Sequence, residues 1–404
     1  MRFFKLHKTI QLRVAIIFVN NLVTNMIFPF MTIYLTKNLG LATAGGVMIG
    51  ATISAIFGTL LGGGLADKVG RRPVMLGAEV ARIFIFLGFV VSSSTMYYSP
   101  GLLAFFYVFR NFFNGLYGPA SEAMLLDLST PEQRSHMYQI IYWVNNFSLA
   151  IGVFIGTYFF ETHIGMLFFV LFIVSIFTTF ATYKYISESM KHKESDIRPT
   201  MLNNYKIVLK DKLFIIYFVA SVLIMSLDTN ITKFTSIVMT SKTYNLFSAL
   251  IDGQKFFGLL LTENTILVII LSFIMSLFVL NDKKHNVLFF LSLFIYIVCF
   301  GLLTILDDGY FLIFFMGLGT FGEVIFNPIF QTYLGDIAVE RYRSSYIGFY
   351  KLAYRLSTLL SSGLILLLQY TSTIFVTIIA LLLSSLGYII TWYVVSAIKN
   401  KKIY

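Results

Sequence analysis

The sequence predicts an all-α membrane protein of twelve transmembrane helices, arranged as two six-helix, pseudo-symmetric halves. Three observations carry this. The composition is too apolar to be wrapped in a polar surface, apolar runs recur at the length of a bilayer crossing, and basic residues gather in every second connection.

Of 404 residues, 57% are hydrophobic and 12% charged, against about 25% charged in soluble domains. Lipid is the solvent that accommodates such a chain. A spanning helix takes about 20 mostly apolar residues to cross about 30 Å of hydrocarbon. Runs of that kind fall at 12–36, 42–66, 73–94, 100–127, 137–160, 165–187, 213–238, 262–281, 285–305, 310–335, 345–369 and 372–396. Asn38-Leu39-Gly40, Ser99-Pro100-Gly101 and Asp307-Asp308-Gly309 break them apart. The first run follows Arg2, Lys5, Lys8 and Arg13 but exceeds a signal-peptide core and has no small-residue cleavage site, so it reads as a retained span.

The net charge is +11, and its placement gives the topology. Lys68, Arg71, Arg72, Arg134, the basic residues of 188–212, Lys283, Lys284, Arg341 and Arg343 share a side with both termini. Lys37, Lys242 and Lys255 lie opposite. The positive-inside rule therefore puts both termini in the cytoplasm of a plasma-membrane protein. Basic stripes on a soluble element, the mark of nucleic-acid binding, are missing. The one cysteine, Cys299, lies in an apolar run and supports neither a disulfide nor a thiolate metal site.

The polar stretch 188–212 divides the chain into residues 1–187, a cytoplasmic linker, and residues 213–404. The halves echo each other. Pro119, Leu125, Asp127, Arg134 and Ser135 recur as Pro328, Leu334, Asp336, Arg343 and Ser344, each 209 positions later. A duplicated six-helix unit predicts a midplane site.

Between the second and third spans runs Gly63-Gly64-Leu65-Ala66-Asp67-Lys68-Val69-Gly70-Arg71-Arg72. Gly70 supplies freedom for a tight turn. Gly62, Gly63 and Gly64 are placed for close helix approach. Asp67 can meet Arg71 or a helix N-terminus, and Asp127 lies at the same depth. The pattern resembles the signature loop of the major facilitator superfamily. That resemblance implies the twelve-helix fold, operation as a monomer, and a cytoplasmic gate built from Gly63, Asp67, Lys68, Gly70, Arg71, Arg72 and Asp127. Over nearly its whole length the chain is further similar to secondary multidrug transporters of the lactococcal LmrP type. The likeness rests on Gln11-Leu12-Arg13, Met31-Thr32-Ile33-Tyr34, Tyr142-Trp143 with Asn146 and Ser148, Gly253-Gln254-Lys255, and Gly322-Glu323-Val324 with Pro328 and Gln331-Thr332. It implies proton-driven export of amphiphilic compounds, with key acids at Asp67, Asp127, Asp228 and Glu323. The chain departs from that pattern in span five, with Ile141 in place of an acid and Gly152 and Gly156 without a proline.

Ionisable residues inside a span cost about 2.5–3.5 kcal/mol on insertion scales and mark candidate function. Glu323 in span ten and Asp228 in span seven are candidate proton or substrate carriers, with Lys351 or Arg355 as an alternative permanent partner for Glu323 and Lys233 for Asp228. Glu122 and Arg110 in span four join them as coupling candidates. Glu79 and Arg82 sit at i, i+3 and read as an internal pair. Lys351 and Arg355, at i, i+4, need an anionic partner, which Glu323 or a substrate carboxylate would supply. The deep charges nearly balance, so two substrate readings stay open: an amphipathic compound exported for protons, or an endogenous zwitterionic or anionic metabolite such as a metal chelator, peptide or lipid precursor. A signalling protein on a transporter scaffold is a third. No Walker loop, zinc-protease helix or nucleophile elbow occurs. An enzyme is therefore not expected, nor a cofactor or a metal. The expected partners are a small-molecule substrate, protons and the bilayer.

Overall fold

The structure, a computed structural model, describes residues 7–189, 207–246, 249–277, 286–338 and 343–401. Helix dominates throughout. Span 1 is Lys8–Asn25 followed by Met31–Leu39, span 2 Leu41–Val69, span 3 Arg71–Ser92, span 4 Pro100–Leu128, span 5 Pro131–Phe159 and span 6 Ile164–Tyr185. Span 7 is Lys212–Asn230 continued through Ile231–Thr235 to Ser236–Thr240. Span 8 is Gly253–Leu277, span 9 Asn286–Leu302, span 10 Gly309–Ile337, span 11 Arg343–Leu368 and span 12 Thr373–Lys401. Ten of these are long and apolar enough to cross a membrane. Span 9, at 17 residues, is apolar but shorter. Span 4 has the length and is interrupted by Arg110, Asn111, Asn114 and Glu122.

The chain forms two compact units, Met1–His192 with Phe257–Thr265, and Lys193–Phe256 with Ile266–Tyr404. Within the first, spans 2 and 4 are in close contact. A Cβ on Gly62 would strike the backbone of Leu116, and one on Gly115 that of Ala55. Such helix pairs gain dispersion contacts that lipid tails cannot supply. Gly63 and Gly64, expected to share this role, have nothing within 4 Å of an added Cβ. They lie on the helix face turned away from span 4, because successive helix positions differ by about 100°.

Three departures from the expected pattern have local causes. Span 1 breaks after Asn25 because Pro29 has no N–H and its ring would clash with the carbonyl four residues back; Phe28–Phe30 is a 3-10 turn instead. Span 7 carries a π turn over Ile231–Thr235. Span 8 starts at Gly253, nine residues before the expected 262. A short antiparallel hairpin, β1 (Thr243–Leu246) paired with β2 (Ala249–Asp252), precedes it. The Asp252 carboxylate then accepts from the Gln254 amide at 2.9 Å, capping the helix.

Exposed Phe57, Phe84, Phe105, Phe177 and Phe180 form part of an outward apolar surface, as helices facing lipid require. In the second unit, 72% of the apolar window of span 7 is buried, against 28% in span 12. Span 7 is thus the inner helix of its unit. Around it Tyr217 donates to the Phe330 carbonyl at 2.9 Å and stacks on Tyr350.

Candidate functional site

Only Gly70 separates spans 2 and 3, and it takes φ 108°, ψ 160°. That region is essentially closed to residues bearing a Cβ. The reversal leaves the first amides of span 3 without intrahelical acceptors. Glu188, just past span 6, fills the gap: Arg71 donates its amide to Oε1 at 3.1 Å and Arg72 to Oε2 at 3.0 Å. A carboxylate here also meets the positive end of the helix dipole. Arg72 donates to the Tyr183 carbonyl at 2.6 Å and lies over that tyrosine's ring. The buried Arg71 places Nε 3.5 Å from Asp127 Oδ2, which accepts from Ser189 Oγ at 3.1 Å. Lys68 is exposed, and Gly63 lies in span 2 with open space beside it. The side chains of Asp67 and Arg134, and linker residues 190–206, lie outside the described residues.

Deeper in the first unit, Arg13 is fully buried. It donates to Tyr117 Oη at 2.6 Å and to Ser121 Oγ. Arg82 also lies over the Tyr117 ring, at 4.6 Å, and is 3.8 Å from Glu79. Glu79 is sealed and accepts from Thr182 at 3.3 Å. Two guanidiniums, one carboxylate and a shared aromatic ring thus tie spans 1, 3, 4 and 6. Glu122, next to Ser121, is half-buried. Arg110 sits over the Phe28 ring, 3.5 Å from its centre, at the break in span 1.

In the second unit, Asp228 is the one exposed residue between Ala220 and Thr240. Its neighbours are committed to packing. Thr229 bonds Ser361 and the Ser357 carbonyl, and Ser361 donates to the Ser226 carbonyl. Lys233, weighed as an ion-pair partner of Asp228, is buried and donates to Ser362 Oγ at 2.7 Å instead. No ion pair joins Asp228 and Lys233 among the described residues, because the π turn carries Lys233 to span 11 while Asp228 faces open space. The Tyr296 hydroxyl is within electrostatic range of Asp228 and Glu323, and that of Tyr354 within range of Asp228 and Arg355. Gly322 sets this up: its Cβ would be 2.6 Å from the Ser292 carbonyl, so span 10 lies directly on span 9 and Glu323 is brought to Tyr296. Glu323 and Arg355 are half-buried, while Tyr354 and Lys351 are exposed. The electrostatic neighbourhood of the exposed Asp228 thus holds the hydroxyls of Tyr296 and Tyr354, near which Glu323 and Arg355 also lie, drawn from spans 7, 9, 10 and 11.

On the outer side, Tyr244 of β1 is buried and stacked on Phe256. Burial, then the nearby Asp307 charge, pushes its hydroxyl up to about 12. Lys242 pairs with Asp307 at 2.5 Å. Among the described residues no group of His, Cys, Asp or Glu side chains is placed to hold a metal ion.

Two residues have structural roles that their place in the sequence does not announce. Glu188 lies in the polar stretch 188–212, although an acid directly after a span can cap a neighbouring helix. Arg13 belongs to the basic N-terminal group, although it lies within the first apolar run.

The family description "Major Facilitator Superfamily" matches residues 14–362. A Na(+), Li(+), K(+)/H(+) antiporter of Planococcus maritimus is 27% identical over 359 residues, covering 83% of this chain and 84% of its own. The multidrug resistance protein MdtH of Blochmanniella pennsylvanica is 24% identical over 358 residues, covering 82% and 78%. Among solved structures, a POT family transporter in complex with 5-aminolevulinic acid superposes with a TM-score of 0.73 at 14% identity, covering 96% of each chain. At that identity the superposition speaks for the fold alone.

Proposed function

The chain belongs to the Major Facilitator Superfamily, and on that premise we propose that it is a proton-coupled secondary transporter exporting small amphipathic compounds by alternating access. The observation that carries this reading is Asp228, the single exposed position between Ala220 and Thr240 of a buried span, within electrostatic range of the Tyr296 and Tyr354 hydroxyls, the first of which also senses Glu323. A carboxylate in a membrane interior is costly unless it is paired or used. Asp228 has no ion-pair partner among the described residues. In this mechanism Asp228 and Glu323 hold protons on one side of the membrane and exchange them for substrate on the other. Tyr296 passes hydrogen bonding between them, and Tyr354 frames the substrate's polar end.

The cytoplasmic turn acts as the gate. Arg71–Asp127 and the Glu188 cap hold the start of span 3 in one state and release it in the other, with Gly63, Asp67, Lys68, Gly70 and Arg72 shaping the turn. Arg110 holds the span 1 break through Phe28, and Glu122 lies beside the Arg13 cluster as a coupling residue. The halves 1–187 and 213–404 and the linker 188–212 give a monomer with both termini in the cytoplasm, supported by the distribution of lysine and arginine. The similarity to a Na(+), Li(+), K(+)/H(+) antiporter and to a multidrug resistance protein supports this reading.

A second reading, export of a zwitterionic or anionic metabolite, is favoured by the exposed Lys351 with Arg355 one turn further along span 11. The two separate on one experiment. Efflux of a fluorescent amphiphilic cation is measured in bacteria lacking their main pumps, with wild type, Glu323→Gln, Asp228→Asn and Arg355→Gln, each with and without a protonophore. The export reading requires efflux that stops with the protonophore and with either carboxylate variant but survives Arg355→Gln. Efflux equal to the empty vector at good expression would sink it for that class.

A further inference from the structure

Span 8 carries four consecutive polar residues, Thr262-Glu263-Asn264-Thr265, between Leu259-Leu260-Leu261 and Ile266-Leu267-Val268. The helix begins at Gly253, so Glu263 lies ten residues inside it. At about 1.5 Å per residue that is roughly 15 Å, the middle of about 30 Å of hydrocarbon. Two contacts fix the place of this segment: the Asp252 cap sets the helix start, and at Gly258 Thr157 of span 5 packs so closely that no Cβ would fit.

The molecule supplies its own contrast. Glu79 is sealed, lies beside Arg82 and accepts from Thr182. That is how a membrane carboxylate looks when it serves the fold. Glu263 is only half-buried and has no hydrogen bond or ion pair among the described residues. Lys255, the cation on the same helix, is eight residues nearer the outer end, about 12 Å away along the axis. Among the described residues, the charged and phenolic side chains of spans 1 and 5 towards this end of span 8 are engaged elsewhere. Glu161 of span 5 and Lys37 of span 1 pair with each other at 2.8 Å, Tyr34 of span 1 engages Tyr98, and Tyr158 is an outer-end residue of span 5. The hydroxyls of Thr262 and Thr265 serve their own helix, on a buried face three residues apart that Glu263 does not share. Thr262 donates to the Gly258 carbonyl at 2.9 Å and Thr265 to the Leu261 carbonyl at 2.8 Å. Their hydrogens are therefore spent on backbone, and neither donates to the Glu263 carboxylate.

We propose that Glu263 is an ion-binding residue of the transport cycle: a midplane carboxylate that takes up one monovalent cation, a proton or an alkali metal ion, on one side of the membrane and gives it up on the other. The exchange is balanced at the residue. The carboxylic acid releases its proton as the carboxylate receives the metal ion or a cationic substrate, and the reverse step restores the acid. The inference rests on the transport reading, but Glu263 is on a different helix from Asp228 and Glu323 and makes a separate claim.

The test uses the purified full-length protein in liposomes containing a pH-sensitive dye. External NaCl, LiCl, KCl, choline chloride or ethidium is added to wild type, Glu263→Gln, Glu263→Asp and Asp228→Asn, across a range of pH. Wild type is expected to move protons against at least one cation. Glu263→Gln is expected to lose that movement by about tenfold or more, and Glu263→Asp to retain part of it with a shifted pH profile. A response to sodium, lithium or potassium but not choline assigns an alkali-ion site, and a response to ethidium alone assigns a proton site. If Glu263→Gln matches wild type in rate, apparent affinity and pH profile while Asp228→Asn abolishes transport, the Glu263 proposal is overturned and the transport reading stands. A wild type that moves protons with none of the probes overturns both. Unchanged heat stability of Glu263→Gln separates loss of coupling from loss of fold.

Discussion

Gly70→Ala probes the turn between spans 2 and 3 at its most constrained point. At φ 108°, ψ 160°, a side-chain-bearing residue pays about 1–3 kcal/mol in backbone strain. The new Cβ would also stand 2.5 Å from Glu188 Oε2 and 3.3 Å from Pro73 Cδ. The carboxylate must retreat, weakening its bonds to the Arg71 and Arg72 amides, a further loss of about 1–2 kcal/mol at this partly exposed site. Together the substitution costs about 2–5 kcal/mol. The assay is the fraction of detergent-solubilised protein surviving as a monodisperse peak after heating. The apparent midpoint should fall by about 5–15 °C. Glu188→Ala alone removes only the cap and should cost less. Combined with Gly70→Ala it should cost less than the sum, because the collision is then gone. A Gly70→Ala protein as heat-stable as wild type would refute the account of the turn. Full rescue by Glu188→Ala would show that collision, not torsion, is the whole effect.

Gly322→Ala drives a methyl against the Ser292 carbonyl and the Tyr296 amide; it should displace Glu323 and reduce transport about tenfold or more, with overpacking costing about 1–3 kcal/mol. Gly363→Ala, with nothing within 4 Å, is its control and should match wild type in both transport and heat stability. Ser362→Ala leaves the buried Lys233 ammonium without its hydroxyl and should destabilise by about 1–3 kcal/mol; Lys233→Met added to it should recover most of the loss, as read by thermal challenge. The Tyr244 hydroxyl is pushed up to about 12, so between pH 10 and 12 the folded hairpin holds a proton that the opened one releases. The stability contributed by this residue is therefore full below pH 10 and lost as pH rises towards 12. Proteolysis of the 243–252 segment should rise over that window in wild type and not in Tyr244→Phe.

Much of the site was visible in sequence because a charge inside an apolar run is a local anomaly. Asp228, Glu323, Arg110, Lys351 and Arg355 were found that way, and all but Arg110 and Lys351 come into the neighbourhood of Asp228. The pairing of those charges was not visible. Lys233 was weighed for Asp228 on sequence proximity, and a π turn redirected it to Ser362. Glu188 was hidden because its acceptors are backbone amides more than a hundred residues earlier. Glu263 is easily overlooked because an expected start at 262 leaves it at the end of span 8, whereas the hairpin and the Asp252 cap set the start at Gly253.

An all-α membrane fold was readable from the residues alone, and the same patterns carried the expectations of twelve crossings, a basic side and duplicated halves. These follow from hydropathy and charge summed over windows about as long as a helix, and such sums need no knowledge of what touches what. The tertiary structure decided which carboxylates are sealed and which are open. Glu79 and Asp228 look alike as lone acids in apolar helices. One is enclosed by Arg82 and Thr182 from its own and a neighbouring span, and the other is turned to open space. That difference is set by the rotation and approach of whole helices, which glycines such as Gly62 and Gly322 permit and which no one-dimensional pattern encodes.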